Sequence, residues 1–312
     1  MALTLRLGIL SFFLLLSACA ERPEPQAPPE SSPERRIVSF SPAISRTLVD
    51  FGLTDQIVGR TPYCEAVPRE IPVTGDLLSV DYERLVRLRP THVLIQPPAA
   101  TGVPPPLSDL ADRHGWVIGQ WRLNDVADVL TLVDELPGIL AAPSGRFDLD
   151  RDVLIERAAE LHSAMARLLE PEPEAIWPGA TLFLIGTEPV TAIGTDTFLH
   201  ELWASLGGVN LIDRRGYPQM TLESLARRGP EAIVFVRPGV SAEADPQRLL
   251  GPIARLDLPA LDRGRIALLS HEDALMPSTG LIEVAEELRS IMARFREIDR
   301  ASTSQRGEAD PE

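Results

Sequence analysis

Cysteine, histidine and aromatic residues are all scarce in this sequence. Its 312 residues include two cysteines, Cys19 and Cys64, five histidines, and an aromatic fraction of only 5%. So few thiols exclude a disulfide-rich scaffold and a zinc module built on cysteine ligands. Any core must therefore be assembled from aliphatic side chains, which the apolar content of 44% readily supplies.

Positive charge and common catalytic motifs are also lacking. Thirty Lys and Arg residues face 45 Asp and Glu residues, which gives a formal net charge of −15. This balance argues against a nucleic-acid partner, because phosphate backbones are bound by basic surfaces. The sequence holds no Gly-x-Ser-x-Gly elbow, phosphate-binding loop or Cys-x-x-Cys pair. We therefore expect neither an enzyme nor a resident cofactor.

The N-terminus carries the pattern of an export signal. Arg6 precedes an apolar run at residues 7–16, which is too short to span a bilayer but typical of a signal peptide. The run ends in Leu-Ser-Ala-Cys at residues 16–19, which resembles a bacterial lipobox. This predicts a signal peptide at residues 1–18 and a lipid anchor on Cys19, which places the protein in the cell envelope. The proline-rich residues 19–35 are predicted to be a tether, and Cys64, left without a partner, a small buried residue.

From residue 36 onward, short β-branched strands alternate with amphipathic helices. The predicted strands lie at residues 36–40, 56–59, 91–96, 116–121, 181–185, 209–213, 231–236 and 265–270. The predicted helices between and after them lie at residues 43–52, 80–90, 107–115, about 125–136, 197–208, 220–230 and 280–295. This alternation predicts an α/β fold with two Rossmann-like lobes and mainly parallel sheets, at residues 36–145 and 173–300, before a disordered tail at 301–312.

One long helix is predicted to join the two lobes. Within residues 151–169, apolar side chains recur at spacings of four, three, four and three, namely Leu154, Ala158, Leu161, Met165 and Leu168. This spacing lines one helix face. Three aspartates, at positions 148, 150 and 152, suit its start, and prolines at 171 and 173 end it. We therefore predict a rigid linking helix within residues 146–172 and a ligand cleft between the lobes.

The two halves of the chain repeat each other. Glu83 and Glu223 are 140 residues apart, and so are Pro90 and Pro230, each pair framing a helix that precedes a buried strand. Repeats of this size indicate two similar structural units.

These segments resemble a known family. Residues 36–52, 56–68, 80–95, 181–212 and 218–236 are similar to periplasmic binding proteins for iron-siderophores, haem and vitamin B12. These are the helix-strut class of substrate-binding proteins that deliver ligands to ABC importers. The resemblance covers residues 36–292. It implies a monomer that captures a metal chelate or corrinoid and hands it to a permease and ATPase complex, with Glu83 and Glu223 docking on the permease.

Ligands of open α/β sheets bind at the carboxyl ends of strands. The candidate ligand-binding residues at or after these strand ends are Ser41, Pro42, Tyr63, Gln96, Trp121, Tyr217 and His271. The resemblance adds that Tyr63 and Tyr217 match positions where corrinoid binders have aromatic rings. Other cleft aromatics of corrinoid binders are missing, since the chain has Leu77, Gln96 and Thr191 there. A late arginine of the family is replaced within Met-Pro-Ser-Thr-Gly at residues 276–280. The only candidate arginines for a ligand carboxylate are Arg60 and Arg237.

Three alternatives remain open from the sequence. The same architecture could bind zinc or manganese, although only His271 among the histidines follows a strand end. An envelope protein could retain the fold without transport. Glu83 and Glu223 could also be ordinary helix-start glutamates, which the helix dipole favours.

Overall fold

The computed structural model describes residues 35–97, 102–141, 151–170, 176–241 and 243–308. All of them fall within one unit of the chain, Glu34–Glu312. The predicted signal peptide, Cys19 and nearly all of the predicted tether lie outside the described residues, as do Asp148, Asp150, Pro171 and Pro173.

The first lobe is built on a four-stranded parallel sheet in the order β2-β1-β5-β6. Its strands are β1 (Ile37–Ser39), β2 (Ile57–Gly59), β5 (His92–Ile95) and β6 (Val117–Gln120), and a hairpin of β3 (Gly75–Asp76) and β4 (Ser79–Val80) follows β2. The helices are α1 (Pro42–Asp50), α2 (Tyr82–Leu88), α3 (Pro105–His114) and α4 (Val126–Ala141). The alternation predicted from the sequence is confirmed here.

The second lobe has a mixed sheet in the order β10-β8-β7-β11-β12, with β9 also pairing with β7. Its strands are β7 (Ala180–Thr187), β8 (Val190–Ala192), β9 (Val209–Asn210), β10 (Gln219–Met220), β11 (Ala232–Val236) and β12 (Ile266–Leu269). β7, β9, β11 and β12 are parallel, whereas β8 is antiparallel to both β7 and β10. Its helices are α6 (Phe198–Ser205), α7 (Leu222–Arg228), α8 (Pro246–Leu249), α9 (Pro259–Asp262) and α10 (Leu281–Glu308), and α5 (Arg151–Leu168) precedes this lobe in the chain.

The internal repeat extends to the hydrogen bonds at the ends of two helices. The Asp81 carboxylate caps α2 by accepting from the Arg84 N–H, and the Thr221 hydroxyl caps α7 by accepting from the Ser224 N–H. Each helix ends in a left-handed residue, Arg89 or Gly229, just before a proline. Such caps satisfy amide groups that the helix itself leaves unpaired. The two helices therefore begin and end at equivalent places in the two lobes.

One hydrophobic core runs through both lobes. It contains Ile37 and Leu94 from the first sheet, Phe183 and Val234 from the second, and buried side chains of α1, α4, α5, α6 and α10. Two smaller cores cover the other faces of the sheets, one in each lobe. Because both lobes share the main core, its apolar contacts oppose their separation.

The predicted linking helix is present as α5. Leu154, Ala158, Leu161 and Met165 are all buried, so the spacing in the sequence identified the correct face. α5 packs against α4 and α10, while α4 also contacts β6 of the first lobe and α6 of the second. The connection between the lobes is therefore a layer of packed helices in which α5 is one member.

Two helices are longer than the sequence predicted. α4 continues to Ala141 through Pro137, because Leu136 and Leu140 are fully buried on either side of the proline. α10 continues to Glu308, past Arg300, after which a disordered tail was predicted. No proline interrupts the sequence between Leu281 and Pro311, so nothing of that kind ends the helix earlier. None of the helices in the described ranges has the length and apolar content required to cross a membrane.

Candidate functional site

Ser41 and Gln96 come together at the carboxyl ends of β1 and β5. The Ser41 hydroxyl donates to Gln96 Oε1 at 2.7 Å and accepts from the Ile44 N–H at 3.4 Å, as the cap of α1. Gln96 Nε2 donates to the carbonyl of Leu123, in the segment after β6, at 3.4 Å. Ser41 is buried, whereas Gln96 and Pro42 are half-buried. The pair joins three strand ends, and Gln96 is the member with surface to offer a ligand.

Trp121 lies in the core and not at an open surface. Its side chain is only 5% exposed, and its Nε1 donates to Glu135 of α4 at 2.8 Å. The ring packs over Gly119, where a Cβ atom would approach it to 2.6 Å. The sequence placed this tryptophan at the cleft because it follows β6 directly. The glycine two residues earlier leaves space for the ring to fold back onto the sheet instead.

Tyr63 and Tyr217 are both exposed. Tyr63, in the loop after β2, is 66% exposed, and Tyr217, just before β10, is 50% exposed. Partial burial raises the pKa of Tyr217, so its phenol stays neutral and can both donate and accept a hydrogen bond. Each lobe therefore contributes one accessible aromatic ring.

The two candidate arginines differ in environment. Arg60 is 8% exposed and donates to the carbonyls of Thr61, Arg69 and Ile71, each at 3.1 Å. Its donors are thus directed at its own loop, and it is not a solvent-exposed candidate for a ligand carboxylate. Arg237 is exposed, with its guanidinium 5.4 Å from the centroid of the Phe235 ring.

His271 lies at the carboxyl end of β12 and is held by hydrogen bonds. Its backbone N–H donates to the Glu287 carboxylate of α10 at 3.0 Å, and its ring Nδ1 accepts from the Asp273 backbone N–H at 3.1 Å. The imidazole is half-buried. Its orientation is therefore set by the β12–α10 connection.

A charged cluster that the sequence did not predict joins α1 to the β12–α10 connection. Arg46 lies 3.2 Å from Asp50, 3.3 Å from Asp273 and 2.9 Å from Glu283. Thr279 donates to Asp50 at 2.5 Å. Asp273 is the least exposed of the charged side chains in this cluster, and a side chain at Gly280 would overlap its carboxylate.

Burial and charge have opposing effects within this cluster. Burial raises the pKa of Asp273, as do Glu283 and Asp50, while Arg46 and His271 act to lower it. Burial acts to lower the pKa of Arg46, but the three carboxylates outweigh it and raise that pKa. Arg46 therefore remains charged and partly neutralises a site rich in carboxylates.

A groove of about 770 Å³ lies between the segment after β6 and helix α6. Its lining residues are Asn124, Asp125, Thr195, Asp196, Thr197, His200, Glu201, Ala204 and Ser205. Glu201 accepts from the Val126 N–H at the start of α4, at 3.1 Å. Since α6 belongs to the second lobe and α4 follows the last strand of the first, residues of both lobes line this groove.

Glu83 and Glu223 project into solvent with matching geometry. Their side chains are 83% and 79% exposed, and each lies 3.3 Å from an arginine one turn later, Arg87 or Arg227. Both stand in the first turn of a capped seven-residue helix. The two lobes thus present the same pair of charges at equivalent positions.

Comparisons with known proteins give a match at the level of structure. No protein-family model matches the sequence, and no curated protein is similar to it in sequence. The periplasmic vitamin B12 binding protein BtuF of Vibrio cholerae aligns with a TM-score of 0.63 and 16% identity, covering 84% of this chain and 98% of that one. The periplasmic haem-binding protein HutB of Vibrio cholerae aligns with a TM-score of 0.63 and 20% identity, covering 83% and 99%.

A third similar structure is the periplasmic haem-binding protein RhuT of Roseiflexus sp. RS-1, with a TM-score of 0.62 and 18% identity, covering 84% of this chain and 99% of that one. The alignments span nearly the whole of each of these proteins. This chain has the periplasmic binding-protein fold.

The segment at residues 276–280, where the late arginine is missing, contacts α1. Ser278 and Thr279 are fully buried, and Thr279 hydrogen-bonds to Asp50 across to α1. Two further positions where corrinoid binders have aromatic residues carry no ring in this chain. Leu77 packs against the smaller core of the first lobe, and the Thr191 hydroxyl donates to the carbonyl of Pro189 at 3.1 Å.

The described residues hold no group of three or more His, Cys, Asp or Glu side chains placed to bind a metal ion. The His271 ring accepts a hydrogen bond through Nδ1 from the Asp273 backbone N–H, within the β12–α10 connection. The zinc or manganese alternative therefore finds no ligand set in the described part of the chain.

Proposed function

We propose that this protein is the lipid-anchored substrate-binding component of an ABC importer, and that it captures a metal chelate or corrinoid between its lobes. The observation that carries the proposal is the pair of exposed glutamates at equivalent places in the two lobes. Glu83 and Glu223 have the same exposure, the same arginine partner one turn later and the same capped helix. The preference of helix starts for glutamate would account for each residue separately. A permease that contacts both lobes at once would account for the matching pair.

Two separated carboxylates suit recognition by basic side chains of a permease. Charge-assisted hydrogen bonds to carboxylates are strong and directional, and two of them fix an orientation that one cannot. The caps on α2 and α7 hold each glutamate in place before docking, which lowers the entropic cost of binding.

The exposed rings of Tyr63 and Tyr217 support a flat or bulky ligand. A tyrosine offers a rigid apolar face with a polar end, and it orders few torsion angles on binding. A tyrosine phenolate can also coordinate a ferric haem iron. A corrinoid, a haem and an iron chelate therefore all remain within the proposed ligand class.

The ligand is tested by thermal-shift screening of the purified protein with cobalamin, cobinamide, haemin and ferric siderophores. We expect stabilisation by one class, because a ligand that binds only the folded state raises the melting temperature. For that ligand, Tyr63→Phe keeps the ring and removes the hydroxyl, while Tyr63→Ala removes both. Loss of binding in both variants indicates coordination or hydrogen bonding, and loss in the alanine variant alone indicates stacking. No shift with any class would favour an envelope protein that retains the fold.

The docking role predicts that Glu83→Ala and Glu223→Ala retain ligand affinity within about twofold but lower transport by tenfold or more. Each substitution removes a carboxylate that would be buried against a basic side chain of the permease on docking, and such a contact is worth about 1.4 kcal/mol or more. Transport is measured as uptake of the ligand identified above into cells or proteoliposomes. Glu286→Ala, on the exposed face of α10, is the matched control and should transport normally. Normal uptake by the Glu83/Glu223 double variant would contradict the docking role.

The anchor is part of the same proposal. We expect acyl chains on Cys19, recovery in the membrane fraction, and release to the soluble fraction on Cys19→Ser. A Cys19→Ser variant that stays with the membrane would contradict lipid anchoring at this residue.

A further inference from the structure

The loop that carries Tyr63 is folded around the guanidinium of Arg60. Arg60 follows β2, and its three donor groups bond to carbonyls at the start of the loop, Thr61, and near its end, Arg69 and Ile71. Its backbone closes the same loop, because its N–H donates to the Pro72 carbonyl at 3.0 Å and its own carbonyl accepts from the Thr74 N–H at 2.9 Å. One residue thus bonds to both ends of residues 61–74.

A second anchor lies beside Tyr63. The Thr61 hydroxyl accepts from the Tyr63 N–H at 3.2 Å and lies 3.3 Å from Cys64 Sγ, which is also 3.1 Å from the Ser45 hydroxyl of α1. Cys64 is 2% exposed and belongs to the main core, whereas its neighbour Tyr63 is 66% exposed. Consecutive side chains therefore point in opposite directions, one holding the loop and one leaving it.

This arrangement requires the guanidinium of an arginine, and the ammonium of a lysine could not replace it. A guanidinium presents five N–H groups in a rigid plane, so it can satisfy several carbonyls at once, while an ammonium is a point donor on a flexible stem. Its three side-chain bonds go to carbonyls, which makes it a structural cation enclosed by its own loop. Removing it leaves three carbonyls without this donor, and the bonds lost are buried at Thr61 and partly buried at Arg69 and Ile71.

We propose that Arg60 is a positioning residue that locks residues 61–74 and thereby holds the Tyr63 ring in one pose for the ligand. The inference rests on the proposed function in so far as Tyr63 meets the ligand. Its physical basis is preorganisation, since a ring that is already ordered loses less entropy on binding than one on a loose loop.

Cys64 provides a readout of the lock that needs no ligand. A thiol reagent reaches this buried sulfur only when the loop opens, so the labelling rate reports the open fraction. The protein is the full chain with Cys19→Ser, which leaves Cys64 as its one thiol. We expect Arg60→Met to raise the labelling rate at least about tenfold, the equivalent of one lost hydrogen bond to a charged group.

Matched variants separate the lock from general damage. Arg69→Met changes an exposed arginine of the same loop and should label within about twofold of the parent, since the role of residue 69 uses its carbonyl. Should Arg60→Met fail to fold, Arg60→Lys and Thr61→Val serve in its place, and each is expected to speed labelling. Unchanged labelling in the folded variants overturns the proposal.

The ligand arm uses the compound that stabilises the parent protein. We expect Arg60→Met and Tyr63→Ala to weaken affinity, and the double variant to bind no more weakly than Tyr63→Ala alone, because both act through one ring. Faster labelling with full affinity in Arg60→Met, while Tyr63→Ala binds weakly, overturns the positioning role. If no ligand class binds the parent at all, the proposed function fails, and the labelling rates still decide whether Arg60 locks the loop.

Discussion

Replacing Arg46 by methionine tests whether the charged cluster between α1 and the β12–α10 connection stabilises the protein. Methionine keeps most of the side-chain volume and removes the guanidinium that pairs with Asp50, Asp273 and Glu283. The side chain of Arg46 is 22% exposed, and those of Asp273 and Glu283 are 6% and 44% exposed. The site is therefore neither fully buried nor fully solvated.

The size of the effect follows from this intermediate burial. Breaking one partner out of a fully buried ion pair costs about 3–5 kcal/mol, whereas an exposed pair contributes about 0–1 kcal/mol. Because only Asp273 is deeply buried here, we expect Arg46→Met to lower the free energy of unfolding by about 2–3 kcal/mol at about pH 7.5.

The loss should depend on pH in a defined direction. Burial raises the pKa of Asp273 even with Arg46 present, so the folded state binds this proton more tightly than the unfolded chain does. Stability from that proton is present below the ordinary pKa and is lost as the pH rises through the raised pKa. Without Arg46 the pKa of Asp273 rises further, so the deficit of the variant should be smaller at about pH 5 than at about pH 7.5.

Urea denaturation at both pH values measures the two free energies. Arg248→Met is the control, because Arg248 forms an ion pair with Asp245 while its side chain is 87% exposed, and its loss should stay within about 0.5 kcal/mol. A deficit below about 1 kcal/mol for Arg46→Met, or the same deficit at both pH values, would refute the reasoning.

Three further substitutions have clear expected outcomes. Gly119→Val places a side chain where a Cβ atom alone meets the Trp121 ring at 2.6 Å and Leu94 at 2.8 Å, so we expect a loss of about 1–3 kcal/mol in chemical denaturation. Gly138→Ala, at an open position inside α4, should instead stabilise by about 0.5–1 kcal/mol, and a loss there would contradict the assigned helix. Tyr217→Phe should remove an absorbance change at the alkaline end of a phenol titration, because burial raises the pKa of this tyrosine; an unchanged alkaline end would argue against its partial burial.

The architecture was largely readable from the sequence because its signals are local. Alternating strands and helices, the buried face of α5 and the repeat around Glu83 and Glu223 depend on spacings within one element or on comparing two short segments. The short strands β3, β4, β8 and β10 were not predicted, since two or three residues carry too little periodicity to be recognised.

The details of the candidate site depended on distant partners. Trp121 was placed at the cleft by its position after β6, but the space above Gly119 and the carboxylate of Glu135 hold it in the core. Arg60 was a candidate for a ligand carboxylate until its loop was seen to enclose it.

What the sequence alone determined was the order of the elements, the two-lobed plan and the exposed glutamates, because helix caps, strand periodicity and repeat spacing act over a few residues. What only the tertiary structure decided was which polar side chains meet. Arg46 and Glu283 lie 237 positions apart, and their contact exists because folding packs α1 beside the start of α10. Such packing decides whether a charged side chain faces water, a ligand or another charge. The residue types at the two positions do not show which distant side chains will meet.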